Sequence, residues 1–226
     1  KVNLTIFEGE YLILAGPNGS GKTTLIRHMN GLLQPDKGEI RLRGKNIFND
    51  LRHTRQTIGM VFQDADTQIV GETVFNEVAF GPENLRHSRA EINDRVHRIL
   101  VQFGLQSFSQ RHPATLSGGE KRKLTLAGIL VMDPEIIIFD EPFANLDYPA
   151  AVNLSQLLRQ LNQAGKTIIM ATHDLDLIIR DAHRMVIMEK GKTVAMGPAH
   201  EVARRITPYG LKPICTCTVL PHDVHI

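Results

Sequence analysis

Cysteine is scarce in this chain of 226 residues, which contains only two. A disulfide framework is therefore not expected, and the composition suits a reducing compartment. No apolar run approaches the roughly 18 residues that a membrane helix needs, and no secretory signal opens the sequence. If the protein acts at a membrane, we expect other chains to cross it. The net charge of +2 is too small to indicate a nucleic-acid binder by charge alone.

Short apolar segments alternate with amphipathic ones along a chain of ordinary globular composition, 42% hydrophobic and 22% charged. This alternation predicts an α/β fold with a mostly parallel sheet and an antiparallel β part. The predicted strands are residues 2–7, 11–15, 39–42, 58–62, 135–141 and 167–172, and a hairpin of 185–188 with 193–195. The predicted helices are residues 24–29, 91–103, a helix opening at 117, and about 149–163.

The organising motif is a glycine-rich loop between a predicted strand and a predicted helix. It fits G-x-x-x-x-G-K-[ST], the phosphate-binding loop, and predicts a P-loop NTPase (RecA-like) core. The loop backbone and the helix N-terminus favour an anion, Lys22 reaches the β and γ phosphates, and the Thr23 hydroxyl is a ligand for Mg²⁺. The predicted nucleotide-binding residues here are Gly16, Pro17, Asn18, Gly19, Ser20, Gly21, Lys22, Thr23 and Thr24.

An apolar strand at 136–139 ends in the acid pair Asp140 and Glu141. An aspartate at this sheet edge holds the Mg²⁺ of a bound nucleotide through water. The adjacent glutamate is placed to polarise an attacking water as a general base. Two acids beside a turn at Pro142 would be the plainer interpretation, but the phosphate loop in the same sheet disfavours it.

A second anion cradle is predicted where Ser117, Gly118, Gly119 and Glu120 open a helix. One nucleotide does not need two such cradles from one chain. This redundancy suggests that a second polypeptide supplies one of them.

Together these motifs resemble the nucleotide-binding subunit of ATP-binding-cassette (ABC) transporters over about residues 1–200. The resemblance implies the ABC ATPase fold: a core of 1–63 and 134–200, an inserted α-helical signature subdomain of 64–133, and a C-terminal tail of 201–226. In this family pattern residues 16–23 match Walker A, 136–140 match Walker B, and 117–120 match the signature. Gln63 matches the Q-loop, Asp147 the D-loop and His173 the switch histidine.

The resemblance also implies a mechanism. Two ATPase subunits, identical or different, would form a head-to-tail dimer with MgATP between the Walker loop of one and the signature of the other. Glu141, His173, Lys22 and Gln63 would be catalytic; Thr23, Gln63 and Asp140 would hold Mg²⁺; Ser117–Glu120 and Asp147 would contact nucleotide. Glu120 stands where glutamine is more usual, with little effect expected. The usual adenine-stacking aromatic would precede Lys1.

Residues 63–69 and 73–84 resemble the Q-loop region of energy-coupling-factor importers and their cobalt and nickel relatives. That resemblance implies docking on an integral membrane component that works with a cargo-binding protein, at the cytoplasmic face of the membrane. The alternative is that this segment only packs the helical lobe. The cargo, a transition metal or a vitamin, is not given by the sequence.

Two rival functions remain open: a soluble ABC ATPase acting on nucleic acid or the ribosome, and a cassette that binds ATP without hydrolysing it. The first usually carries coiled-coil insertions or a second cassette, so a nucleic-acid partner is not expected. The second is disfavoured because Lys22, Asp140, Glu141 and His173 are all present.

Two further features carry weaker predictions. Lys121, Arg122 and Lys123 form a charge run that we interpret as a solvated helix face. The tail offers thiol and imidazole ligands, but their spacing matches no recognised zinc module. These tail residues are Cys215, Cys217, His222 and His225.

Overall fold

A computed structural model describes residues 2–214. The strands are β1 (Tyr11–Ala15), β2 (Arg41–Leu42), β3 (Lys45–Asn46), β4 (Ile58–Val61), β5 (Ile136–Asp140), β6 (Thr167–Thr172), β7 (Arg184–Glu189) and β8 (Lys192–Pro198). The α-helices are α1 (Lys22–Met29), α2 (Leu51–Thr57), α3 (Val74–Asn84), α4 (Arg89–Gln102), α5 (Gly118–Leu130), α6 (Tyr148–Gln163) and α7 (Ala199–Ala203). None of these helices is both long and apolar enough to span a bilayer.

The described residues divide into two compact units. One takes in 2–58 and 135–214, and the other is Gly59–Pro134. The domain boundaries expected from the sequence, which place the inserted part at 64–133, remain a prediction.

Within the first unit the main sheet has the strand order β5-β6-β1-β7-β8. The pairs β5–β6, β6–β1 and β1–β7 are parallel, and β7–β8 is antiparallel. Every residue of β1 and β6 is buried, as expected for parallel strands covered on both faces. The predicted mixed α/β fold, mostly parallel with an antiparallel part, is therefore confirmed.

The unit Gly59–Pro134 is built largely from α3, α4 and α5. Their buried faces include Val74, Val78, Val96, Leu100 and Leu124. The Ser88 side chain caps α4 in a reciprocal capping box with Glu91, so the helix begins at Arg89 rather than at the predicted residue 91.

The predicted strand at residues 2–7 is wrong. Burial alternates along this segment as the sequence pattern requires, but no ladder forms on it within the described residues. Alternation reports which side chains are covered, whereas a strand also needs a neighbouring backbone to receive its hydrogen bonds. The predicted strand at 39–42 is reduced for the same reason to Arg41–Leu42, which pairs only with β3.

Candidate functional site

The glycine-rich loop lies between the carboxyl end of β1 and the start of α1. Gly16 must be glycine, because a Cβ built there would lie 2.4 Å from the Met188 carbonyl oxygen. Gly21 precedes α1 with a left-handed φ of 100°, which favours glycine at this N-cap position. The loop backbone therefore passes directly into a helix N-terminus, the arrangement that binds phosphate.

Lys22 turns back across this loop. Its Nζ donates to the Gly16 carbonyl at 2.7 Å and to the Pro17 carbonyl at 3.3 Å. The same ammonium lies 3.6 Å from Glu141 Oε1, and only 6% of the Lys22 side chain is exposed. Within the loop, the buried Ser20 hydroxyl has no hydrogen-bond partner among the residues that the structure describes. A buried cation and an unsatisfied hydroxyl beside a glycine loop fit a phosphate ligand.

Thr23 and Asp140 bring the first turn of α1 to the end of β5. The Thr23 hydroxyl donates to Asp140 Oδ1 at 3.1 Å. Burial raises the pKa of Asp140, and the neighbouring Glu141 charge adds to this rise, while the Thr23 hydrogen bond opposes it. A hydroxyl and a carboxylate in contact are hard oxygen ligands, so these two residues fit Mg²⁺.

Glu141 is held in a strained backbone conformation, with φ at +45°. Its N–H donates to the Ala171 carbonyl at 2.8 Å, which continues the β5–β6 pairing one residue beyond Asp140. The Thr172 hydroxyl donates to Glu141 Oε2 at 3.0 Å. This carboxylate is therefore aimed by β6 as well as by its own strand.

His173 follows β6 directly, and its Nδ1 lies 3.0 Å from both Glu141 carboxylate oxygens. More than half of the imidazole is exposed, whereas the Glu141 side chain is nearly buried. The structure thus brings together five of the residues that the sequence predicted for one site: Lys22, Thr23, Asp140, Glu141 and His173.

The predicted second cradle forms the N-terminus of α5 in the other unit. The Ser117 N–H and hydroxyl both donate to Glu120 Oε2 at 2.7 Å, and the Glu120 N–H returns a 3.4 Å bond to the Ser117 hydroxyl. The Ser117 backbone donor lowers the pKa of Glu120, and the hydroxyl adds to this effect. The positions where Gly118 and Gly119 would carry a Cβ face open space.

Gln63 and Asp147 are both exposed and are placed by local structure. Asp147 caps α6 by accepting from the Ala150 N–H at 2.9 Å. Gln63 follows β4 by two residues, and its carbonyl accepts a 3.2 Å bond from Arg122 Nη1.

Two residues with contacts described here are not among those that the sequence predicts for the site. Thr172 ends a predicted core strand directly before His173, and this position is a usable signal. The prediction that Arg122 lies on a solvated helix face is wrong, because the residue is buried.

No group of three or more His, Cys, Asp or Glu residues in 2–214 is arranged to hold a metal ion. The four candidate ligands of the tail, Cys215, Cys217, His222 and His225, lie outside the described residues.

A phosphate loop, an oxygen-ligand pair and a carboxylate–histidine pair, all at the carboxyl ends of neighbouring parallel strands, define a P-loop nucleoside triphosphatase. Comparison with known proteins gives the family. The family model described as ABC transporter matches residues 1–144, and the chain belongs to this family. This is the family that the sequence motifs predicted.

The relatives support this membership. Over 204 residues the chain is 45% identical to the "Energy-coupling factor transporter ATP-binding protein EcfA2" of Methanospirillum hungatei, covering 89% of this chain and 51% of the relative. It is 44% identical to EcfA of Methanocaldococcus jannaschii, covering 89% of this chain and 73% of that protein. The chain thus spans about half the length of the first relative.

Solved structures agree. A structure described as cbiO1 from Clostridium perfringens, part of the ABC transporter complex cbiONQ, superposes with a TM-score of 0.79 at 34% identity. The match covers 92% of this chain and 86% of that one.

Proposed function

We propose that the chain hydrolyses MgATP and that this reaction powers a membrane importer. The observation that carries the proposal is the position of the Glu141 carboxylate, 3.0 Å from His173 Nδ1 and 3.6 Å from Lys22 Nζ. A carboxylate between a phosphate-binding lysine and a polarisable imidazole is suited to accept a proton from a water that attacks the terminal phosphate.

The residues would divide the work as follows. The loop backbone and Lys22 bind the triphosphate, whose oxygens replace the carbonyl partners that Lys22 now has. Thr23 and Asp140, with Gln63, would hold Mg²⁺, which neutralises charge on the β and γ phosphates when bound. Glu141 accepts the proton of the attacking water, and His173 orients that water and contacts the γ-phosphate.

A second ABC ATPase subunit, identical or homologous, would complete the site. The support is that the chain carries two helix N-termini suited to anions, at Lys22 and at Ser117. One nucleotide does not need both from the same chain, so we infer that each nucleotide contacts the Lys22 helix of one subunit and the Ser117 helix of the other. In this head-to-tail arrangement Ser117, Gly118 and Gly119 face the nucleotide held by the partner's phosphate loop, with Asp147 near the interface.

The transporter assignment is supported by the names of the relatives, which are energy-coupling factor transporter ATP-binding proteins. We infer integral membrane partners with a cargo-binding component, a peripheral position at the cytoplasmic face of the membrane, and a transition metal such as cobalt or nickel, or a vitamin, as cargo. An ATPase that acts on nucleic acid or the ribosome is the less favoured alternative.

Expression of the full chain with the products of its neighbouring reading frames tests the proposal. We expect co-purification with hydrophobic subunits, and Mg²⁺-dependent phosphate release from ATP by the complex. Co-purification with nucleic acid in their place would support the alternative, and absence of hydrolysis by an assembled complex would contradict the ATPase assignment.

A further inference from the structure

Arg122, in the second turn of α5, is a buried cation with an unusual target. Only 6% of its surface is exposed, and its Nη1 donates to the carbonyl oxygens of Phe62 at 2.8 Å and Gln63 at 3.2 Å. Burial lowers the pKa of the guanidinium. Burying an arginine is costly, so donors aimed at backbone carbonyls indicate that the contact fixes the chain at that place.

Lys121, the residue before Arg122 in α5, contacts the segment after β4 at a second point. Lys121 Nζ donates to Asp66 Oδ1 at 2.6 Å, and the Lys121 side chain is only 20% exposed. The segment is also closed on itself, because Gln68 Oε1 accepts from the Phe62 N–H at 3.1 Å. Residues 62–68 therefore form a closed loop. Side chains of α5 bind this loop at its first two residues, Phe62 and Gln63, and near its middle, at Asp66.

The helix that grips this loop is the one that begins with the predicted nucleotide-contacting serine. Arg122 is five residues beyond Ser117, so about 7.5 Å of helix separates them at 1.5 Å per residue. The reciprocal capping box at Ser117 keeps the first turn of α5 regular. A displacement of this turn would therefore move the Arg122 guanidinium, and with it the backbone carbonyl of Gln63 to which the guanidinium donates. All these contacts lie within the unit Gly59–Pro134.

We propose that Arg122, assisted by Lys121, is a positioning residue that fixes the backbone of the Gln63 loop to the start of α5, so that ligand engagement at either place is transmitted to the other. The transmission rests on the proposed function, in which Ser117 and Gln63 both serve the nucleotide. The mechanical connection itself does not.

Amide hydrogen exchange on the full chain without nucleotide tests the connection. In Arg122→Met, which keeps an unbranched apolar stem but no donor, we expect amides in 62–68 to exchange at least tenfold faster. Arg122→Lys should give an intermediate increase, because one ammonium replaces a planar fork. The matched control is Lys123→Met, one residue along on an exposed position of the same helix, which should exchange like the original chain. Original exchange rates at 62–68 in both Arg122 variants would overturn the proposal.

The Lys121–Asp66 pair gives a second test if Arg122→Met does not fold. Lys121→Asp alone should accelerate exchange in 62–68, and the exchanged pair Lys121→Asp with Asp66→Lys should restore the original rates. A general loss of stability would not be rescued in this way. Failure of the exchanged pair to restore protection, together with unchanged rates in Arg122→Lys, would overturn the proposal.

Addition of ATP and Mg²⁺ to chains that carry Glu141→Gln tests the transmission. We expect new protection at 117–121 and at 62–68 together, and Arg122→Lys should lose at least half of the protection at 62–68 while keeping that at 117–121. Equal protection of both segments in the variant would overturn transmission through Arg122. If the chain with Arg122 intact shows no ATP effect at all, the proposed function fails, and the nucleotide-free rates still decide the connection.

Discussion

Nδ1 of His173 lies 3.0 Å from each of the two carboxylate oxygens of Glu141. The two residues come from neighbouring strands, and the N–H of Glu141 is itself tied to β6 through Ala171. Base and imidazole are therefore positioned as one unit, and a lesion in either should act on turnover more than on nucleotide binding.

Glu141→Gln should retain ATP binding and lose hydrolysis by about 10²–10⁴-fold, the usual contribution of a general base. The amide keeps the shape of the side chain but cannot accept the proton, so an ATP-bound dimer should accumulate. Phosphate release and size-exclusion chromatography with MgATP measure the two effects. The control is Glu135→Gln, an acid just before the same strand that pairs with Arg43 at an exposed position. Unchanged hydrolysis would remove Glu141 from the role of base.

His173→Ala should lower kcat by about 10²-fold with a small change in KM, because the imidazole orients the reacting groups and the phosphate loop still binds the nucleotide. Steady-state ATP hydrolysis over a range of ATP concentrations separates the two constants. His97→Ala, an exposed histidine of α4, should change neither. A rise in KM at constant kcat would place His173 in binding instead.

The parts of the site that were predictable from the sequence are those that a short segment determines. The strand predicted at 167–172 has the observed bounds, and Asp140 and Glu141 stand at the end of β5 as predicted, since apolar runs and strand ends are local signals. Their clustering with Lys22 follows from parallel strands meeting at one sheet edge.

The predictions that are wrong concern features that depend on contacts between residues distant in sequence. Residues 2–7 have the alternation of a strand but no paired neighbour among the described residues. Arg122 sits between two lysines that are not buried, and only the carbonyls of Phe62 and Gln63, about 60 residues earlier, make its burial favourable. Neither the missing strand partner of residues 2–7 nor the burial of Arg122 can be predicted from the neighbouring sequence alone.

Ser117→Arg should abolish hydrolysis while each chain still binds ATP. The reason is that Ser117 is proposed to face the nucleotide of the partner subunit, where a bulky cation would block closure. ATP binding by fluorescence titration and phosphate release by the complex are the two measurements. Full activity in the variant would contradict the composite site.

Gly16→Ala should destabilise the fold by about 1–3 kcal/mol, because the new Cβ would lie 2.4 Å from the Met188 carbonyl oxygen and 2.7 Å from Ser20 Oγ. Gly128→Ala is the matched comparison, since its Cβ would meet nothing closer than 3.8 Å inside a helix. It should stabilise by about 0.4–1 kcal/mol. Denaturant unfolding of both variants decides, and equal midpoints would refute the steric argument.

Asp140→Asn should stabilise the nucleotide-free chain while weakening the stabilisation that Mg²⁺ with ATP gives. Burial raises the pKa of Asp140 in the folded chain above that in the unfolded chain, so the folded state holds its proton more tightly. The free energy of unfolding therefore falls as pH rises from the ordinary aspartate pKa through the raised one. Above both pKa values the full destabilisation by the buried carboxylate is present. Asparagine removes that destabilisation, so the rise in melting temperature of the variant should be largest near neutral pH and shrink in acid.

Mg²⁺ with ATP should raise the melting temperature of the original chain and of the exposed control Asp94→Asn. The rise should be much smaller for Asp140→Asn. A variant that melts below the original chain at neutral pH without nucleotide would show that the carboxylate serves the fold rather than the metal.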